Sequence, residues 1–153
     1  MNRPPPLMLA YEIFPLISDL RWGIGGSLLL FHLGLHSEPR DLDIICTLEE
    51  FEEINKRLST IFGDPIPASH PSYMSIRFSR FRAKADASVD LIAGVRVLAA
   101  DGQLMGWDFN PRTVTYADGL PWMRPNDWVD LYAMFNRPEQ AALLAQYLSR
   151  RRG

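Results

Sequence analysis

Two aspartates, Asp41 and Asp43, stand one residue apart just before the apolar run 44–46. The run predicts a buried strand, and residues i and i+2 of a strand point to the same face, roughly 7 Å apart at the backbone. The two carboxylates can therefore converge on one point, where they repel each other unless a cation lies between them. Hard oxygen ligands at this spacing suit Mg²⁺. The pair predicts a magnesium site at the entrance of the strand.

A glycine-rich turn, Gly25-Gly26-Ser27, precedes the acid pair and joins a short strand to an apolar helix. Glycines let backbone N–H groups approach an anion, and a helix N-terminus adds partial positive charge. We expect Ser27 to cap this helix, a role that is compatible with phosphate binding. The alternative is a tight turn that only lets the helix pack on the sheet. A phosphate-binding turn beside metal-binding acids is typical of sites that catalyse phosphoryl or nucleotidyl transfer.

A third acid, Asp90, stands inside the apolar run 88–92. An unpaired buried carboxylate costs several kcal/mol, so Asp90 either pairs with an arginine such as Arg77 or shares the cation. We favour the cation, in which case the metal-free protein should gain stability when Asp90 becomes Asn. Arg40, directly before the acid pair, is either a triphosphate ligand or a counter-charge for Asp41.

A glycine-rich turn, a short helix, an acid pair and a later acid inside a strand follow one another in a fixed order. These motifs are Gly25-Gly26-Ser27, Asp41-x-Asp43 and Asp90. Together they resemble the DNA polymerase beta-type nucleotidyltransferase superfamily, and most of all its small, single-domain bacterial members, which include the lincosamide antibiotic nucleotidyltransferases. The resemblance covers about residues 20–95 and continues weakly to the C-terminus.

This resemblance implies an enzyme that moves a nucleoside monophosphate from an NTP such as ATP to a hydroxyl of a small molecule or a protein. It assigns catalytic and metal-binding roles to Asp41, Asp43 and Asp90, and phosphate-binding roles to Gly25, Gly26, Ser27 and Arg40. Mg²⁺ is the implied cofactor, and Asp90 would also take the proton from the attacking hydroxyl.

The C-terminal part departs from the family pattern. Tyr132 stands about where many relatives carry a lysine, and Arg137 is not followed by Lys-Asp. We therefore expect the affinity for the nucleotide, or the preferred base, to differ from that of the family. A non-catalytic protein of the same fold, which binds a partner or belongs to a toxin–antitoxin pair, is the alternative, and a homodimer or partner protein would complete the site of so short a chain.

Composition limits the other classes. The chain has 153 residues, of which 47% are hydrophobic, so we expect a flexible segment over 1–6 and one domain over 7–153. No apolar stretch is long enough for a membrane span and no signal peptide opens the chain, which with a single cysteine, Cys46, favours the cytoplasm. A net charge of −2 argues against nucleic acid as a partner. The basic cluster of Arg77, Arg80, Arg82 and Lys84 is then a solvated strand face.

The predicted elements give an α/β (α+β) fold, a nucleotidyltransferase-like mixed sheet with helices packed against it and two C-terminal helices. Strand 73–81 should point Ile76 and Phe78 inward and Arg77 and Ser79 outward. Trp107, Trp122 and Trp128 should build the core rather than stack on a ligand. The predicted helices cover 7–20, 27–35, 48–62, 125–135 and 138–152, and the strands 21–24, 42–47, 73–81, 89–93, 95–99, 103–108 and 112–116.

Overall fold

The computed structural model describes residues 3–36, 38–66, 75–83 and 87–152. Helices and strands alternate at first, and two helices close the chain, as the sequence predicts. The elements are α1 (Pro5–Ile17), β1 (Trp22–Gly25), α2 (Gly26–His32), β2 (Leu42–Cys46), α3 (Leu48–Phe62), β3 (Arg77–Arg82), β4 (Ser88–Ala93), β5 (Val95–Leu98), β6 (Leu104–Trp107), β7 (Thr115–Ala117), β8 (Leu120–Trp122), α4 (Pro125–Met134) and α5 (Pro138–Arg152).

The main sheet is mixed and has six strands in the order β3-β4-β2-β1-β8-β7. The pairs β2–β4 and β1–β8 are parallel, and the remaining pairs are antiparallel. Strands β5 and β6 form a separate hairpin, which the sequence also predicts. The fold class expected from the sequence is therefore confirmed.

One face of the sheet is covered by α1 and α3. Phe14 of α1 contacts the ring of Trp22, whose Nε1 donates a hydrogen bond of 2.9 Å to the Ile17 carbonyl. Helix α3 begins after Thr47, whose hydroxyl accepts from the Glu50 N–H, and it ends at Gly63, as predicted. Burial raises the pKa of the Cys46 thiol to about 12, which suits the inert core thiol that the sequence predicts.

Several predicted boundaries are wrong in detail. Helix α1 begins at Pro5 and ends at Ile17, not at residues 7 and 20. Helix α2 begins at Gly26 with Gly25 as its N-cap, so Ser27 is not the cap. Strand β8 was not predicted, because its sequence Leu-Pro-Trp is too short to alternate and contains a proline, which cannot donate to a ladder.

The prediction of which side chains of β3 point inward is also wrong. The structure buries Ser79 and Phe81, whereas Phe78 is only half-buried. Ser79 can lie inward because its hydroxyl donates a 2.5 Å hydrogen bond to the Asn55 side chain of α3. The opposite face of β3 borders a cavity, so Phe78 packs only partly against the core. Residues 73 and 74 of the predicted strand, and Lys84 of the basic cluster, lie outside the described residues.

The expectation for two of the tryptophans is confirmed, since Trp122 and Trp128 are buried in the core. In the described ranges, none of the helices is both long and apolar enough to span a bilayer.

Candidate active site

Strand registers align four residues in one row across the sheet. Gly25 of β1 lies opposite Asp43 of β2, Asp43 lies beside Asp90 of β4, and Asp90 lies opposite Arg80 of β3. Directly paired residues present their side chains on the same face of a sheet. The sheet therefore carries two acids and one arginine side by side, on the face turned away from α1 and α3.

The three acids differ in their hydrogen bonding. Asp90 is bound by a guanidinium fork, in which Arg80 Nε and Nη2 donate to its two oxygens at 2.7 and 2.9 Å. Asp41, just before β2, accepts with one oxygen from the N–H and the hydroxyl of Ser88, at 3.1 and 3.0 Å. Within the described part of the chain, no hydrogen bond reaches the Asp43 carboxylate. Asp43 is thus the acid that the protein leaves uncompensated.

Asp43 is also the acid whose ionisation the site opposes. Its pKa is raised from 3.8 to about 8, first by burial and then by the negative charges of Asp90 and Asp41. The positive charges of Arg80 and Arg137 lower the pKa of Asp43 but do not cancel these effects. A carboxylate in this position gains from any added positive charge, because such a charge favours its ionised form.

The two glycines before α2 are required by close contacts. A Cβ on Gly25 would lie 2.1 Å from the indole of Trp128 in α4, and Gly25 is therefore the point at which α4 packs on the sheet. Gly26 has a φ of +63°, and its Cβ would overlap Oδ2 of Asp43. A side chain at Gly26 would be strained and would displace the Asp43 carboxylate.

A cavity of about 540 Å³ opens over this row. Ser27 of α2 and Arg40 lie at its wall with all three acids, as do Tyr132 of α4 and Arg137 at the turn between α4 and α5. Tyr132 is buried, and burial, followed by the charge of Asp43, raises the pKa of its phenol. Tyr132 therefore stays neutral and can act only as a hydrogen-bonding group, where a lysine would add a charge.

The structure brings together every residue that the sequence assigns to the site. Asp41, Asp43, Asp90, Ser27 and Arg40 all line the cavity, and Gly25 and Gly26 support it from below through the contacts above. Neither the roles of these residues nor the metal follow from this placement alone, and both stay predictions.

Arg77, which the sequence offered as an example of an arginine partner for Asp90, does not bind it, and its neighbour Arg80 does. Arg77 and Arg80 are three positions apart on β3 and therefore point to opposite faces. Arg77 bonds to Glu52 of α3 at 3.3 Å, whereas Arg80 reaches the acids. Of the described members of the basic cluster, Arg77 therefore lies on one face of β3, and Arg80 and Arg82 lie on the other. Only the β3–β4 register, which sequence spacing does not determine, would have identified Arg80.

A second cavity, of about 450 Å³, lies beside α2 and holds no carboxylate among its lining residues. Its wall includes Trp122, on which His32 stacks at 4.0 Å, and burial lowers the pKa of His32. We take the acid-lined cavity as the candidate active site, because it alone of the two has carboxylates in its lining.

The same arrangement of elements occurs in solved structures of nucleotidyltransferases. A protein from Thermotoga maritima, provisionally assigned as a nucleotidyltransferase, superposes with a TM-score of 0.71 at 21% identity, over 98% of this chain and 96% of its own. The chain has a nucleotidyltransferase-like fold. The lincosamide antibiotic adenylyltransferase LnuA, whose structure holds lincomycin, superposes with a TM-score of 0.58 at 12% identity, over 94% of this chain and 98% of its own. No protein-family model and no curated protein sequence matches the chain.

The donor set of this cavity suits a divalent cation only in part. Asp43 has an uncompensated carboxylate, and Asp41 keeps one oxygen that Ser88 does not use. Both oxygens of Asp90, however, are occupied by Arg80. Accordingly, no group of three His, Cys, Asp or Glu side chains in the described ranges is arranged to hold a metal ion. Two acids are ready for a hard cation, and the third is not.

Proposed function

We propose that the chain is a Mg²⁺-dependent nucleotidyltransferase that transfers a nucleoside monophosphate from an NTP to a hydroxyl group. The observation that carries the proposal is the crowding of Asp43 against Asp90 and Asp41, in a cavity next to a glycine turn. A carboxylate with a pKa raised to about 8 is costly to keep charged and has no structural use here. Its position makes sense when a cation completes the site. The nucleotidyltransferase-like fold agrees with this proposal.

Each side chain has a task in the proposed reaction. Asp41 and Asp43 would hold the cation and Asp90 would share it, and the cation would neutralise charge on the phosphates. The Gly26 and Ser27 backbone, together with Arg40 and Arg137, orients the triphosphate.

Asp90 accepts the proton as the acceptor oxygen bonds to the α-phosphorus, and the α–β bridging bond breaks to release pyrophosphate. Trp128 and Tyr132, both buried, line the same cavity beside these groups.

Thermal unfolding with each of four NTPs, with Mg²⁺ or with EDTA, tests the proposal without knowledge of the acceptor. A nucleotide at 100 times its dissociation constant should add about 2.7 kcal/mol to the free energy of unfolding. We expect this gain for at least one NTP with Mg²⁺ and none with EDTA. Asp43→Asn should remove the gain and also any nucleotide transfer, while it leaves the fold intact.

Asp130→Asn is the matched control, because Asp130 lies exposed on α4 and outside the cavity lining. It should respond to NTP and Mg²⁺ like the parent. The proposal would be refuted by a parent protein that responds to none of the four NTPs, or by an Asp43→Asn variant that responds and reacts as the parent does.

A non-catalytic protein that keeps the fold and binds a partner is the second candidate. The Arg80–Asp90 ion pair favours it, because a carboxylate with both oxygens bound to arginine is a poor base and a poor metal ligand. Co-purification with a protein encoded by a neighbouring gene, together with no response to any NTP, would select this function.

A further inference from the structure

The third acid of the site is held by an arginine rather than left open. Arg80 lies opposite Asp90 in the β3–β4 register and binds it through two parallel hydrogen bonds. Bidentate pairs of this kind are among the strongest charge-assisted hydrogen bonds. Asp90 is buried, with 10% of its side chain exposed, and so depends on this partner for its charge.

Arg80 itself is not confined in the same way. Its side chain is 47% exposed, and β3 is the edge strand of the sheet. The guanidinium lies 6.0 Å from the ring centre of Phe78 and lines the cavity, where the negative charges of Asp41 and Asp43 also act on it. Arg80 can therefore leave Asp90 for the open cavity without unpacking the core.

We propose that Arg80 is an exchangeable counter-ion: it holds Asp90 in the metal-free site and transfers to the nucleotide phosphates when a divalent cation takes Asp90. The inference rests on the proposed function and adds to it a residue that couples the binding of cation and triphosphate. Arg80 competes with the cation for the same carboxylate, and the phosphates offer it a new anionic partner in the same cavity.

Competition of this kind predicts the direction in which cation affinity changes when Arg80 is removed. If Arg80 occupies Asp90, its removal leaves the carboxylate available and also removes a positive charge that repels the cation. Cation affinity should then rise, although a residue of the site has been deleted. Affinity for triphosphate should fall, because a guanidinium that would bind it is lost.

Isothermal titration of Arg80→Gln with Mg²⁺ alone tests the first half of the proposal, and titration with inorganic tripolyphosphate in saturating Mg²⁺ tests the second. Tripolyphosphate is the probe because it carries the phosphates without a base whose identity matters. We expect Mg²⁺ to bind about tenfold tighter than to the parent, and tripolyphosphate about tenfold weaker.

Arg82→Gln is the matched control. Arg82 lies two residues further along the same face of β3, is exposed, and does not line the cavity. Its variant should bind both probes as the parent does. Arg80→Lys keeps the charge but loses the fork, so it should show a smaller rise in Mg²⁺ affinity, of about threefold, and it decides the question if Arg80→Gln does not fold.

The outcomes separate this inference from the proposed function. Mg²⁺ that binds the parent and binds the folded Arg80 variants with equal or lower affinity would show that Arg80 only stabilises the fold. An unchanged affinity for tripolyphosphate would refute the transfer to phosphate. If neither parent nor variants bind Mg²⁺, the metal-dependent function itself is refuted, and the inference with it.

Discussion

The charge of Asp43 should make the metal-free protein less stable as the pH rises. The pKa of Asp43 is about 8 in the folded protein against 3.8 for an exposed aspartate, so the folded state holds a proton that the unfolded state has lost. Stability is therefore greatest below pH 4 as far as this group is concerned, and it declines as the pH rises from about 4 to about 8. Asp43→Asn, which carries no charge, should remove this decline.

The size of the effect follows from the shift. Roughly four pKa units at about 1.4 kcal/mol each give an upper limit of about 5–6 kcal/mol at pH 8 and above. The side chain is not fully buried, and neighbouring groups can relax, so we expect about 2–4 kcal/mol. At pH 8 the Asn variant should be more stable than the parent by this amount, and the two should be nearly equal close to pH 4.

Urea unfolding in EDTA, from pH 4.5 to 8.5, measures the difference directly. Asp130→Asn, at an exposed residue outside the cavity lining, should follow the parent at every pH. Adding Mg²⁺ at pH 8 should stabilise the parent and leave Asp43→Asn unchanged. A variant that is equally or less stable than the parent at pH 8 would refute the claim that burial and neighbouring acids oppose ionisation of Asp43.

Two further substitutions test the packing and pairing of the site. Gly25→Ala should lower the free energy of unfolding by about 1–3 kcal/mol, because its methyl group would overlap the Trp128 indole; a Gly25→Ala protein as stable as the parent in urea would contradict the close contact. Asp90→Asn should destabilise the metal-free protein by about 1–2 kcal/mol, since Arg80 loses one hydrogen bond and the negative charge that strengthens the other; a gain in stability, as the sequence alone led us to expect, would show that repulsion from Asp43 outweighs the pair.

The sequence predicted the acids of the site better than their environment. Asp41 and Asp43 are close together in the chain, and strand alternation alone places them on one face. The position of Asp90 beside Asp43 depends on the parallel pairing of β2 with β4, for which family resemblance was the only guide. The partner of Asp90 depends on a further register, that of β3, and this is where the sequence led to Arg77 instead of Arg80.

The glycine turn shows a different limit. Sequence reasoning explained Gly25 and Gly26 by the approach of an anion to the backbone, or by a tight turn that lets the helix pack on the sheet. The structure adds two protein contacts, the Trp128 ring against Gly25 and the Asp43 carboxylate against Gly26. Contacts between segments far apart in the chain leave no periodic pattern in a single sequence, and they could not have been predicted from it.

The contact between Gly25 and Trp128 predicts that positions 25 and 128 change together among related chains. A side chain at position 25 leaves no room for an indole at position 128, so related chains should gain bulk at one position only where they lose it at the other. Covariation at these two positions would therefore trace the docking of α4. It also sets a rule for chimaeras: the last two helices can be exchanged between relatives only together with the residue that they cover at the end of β1.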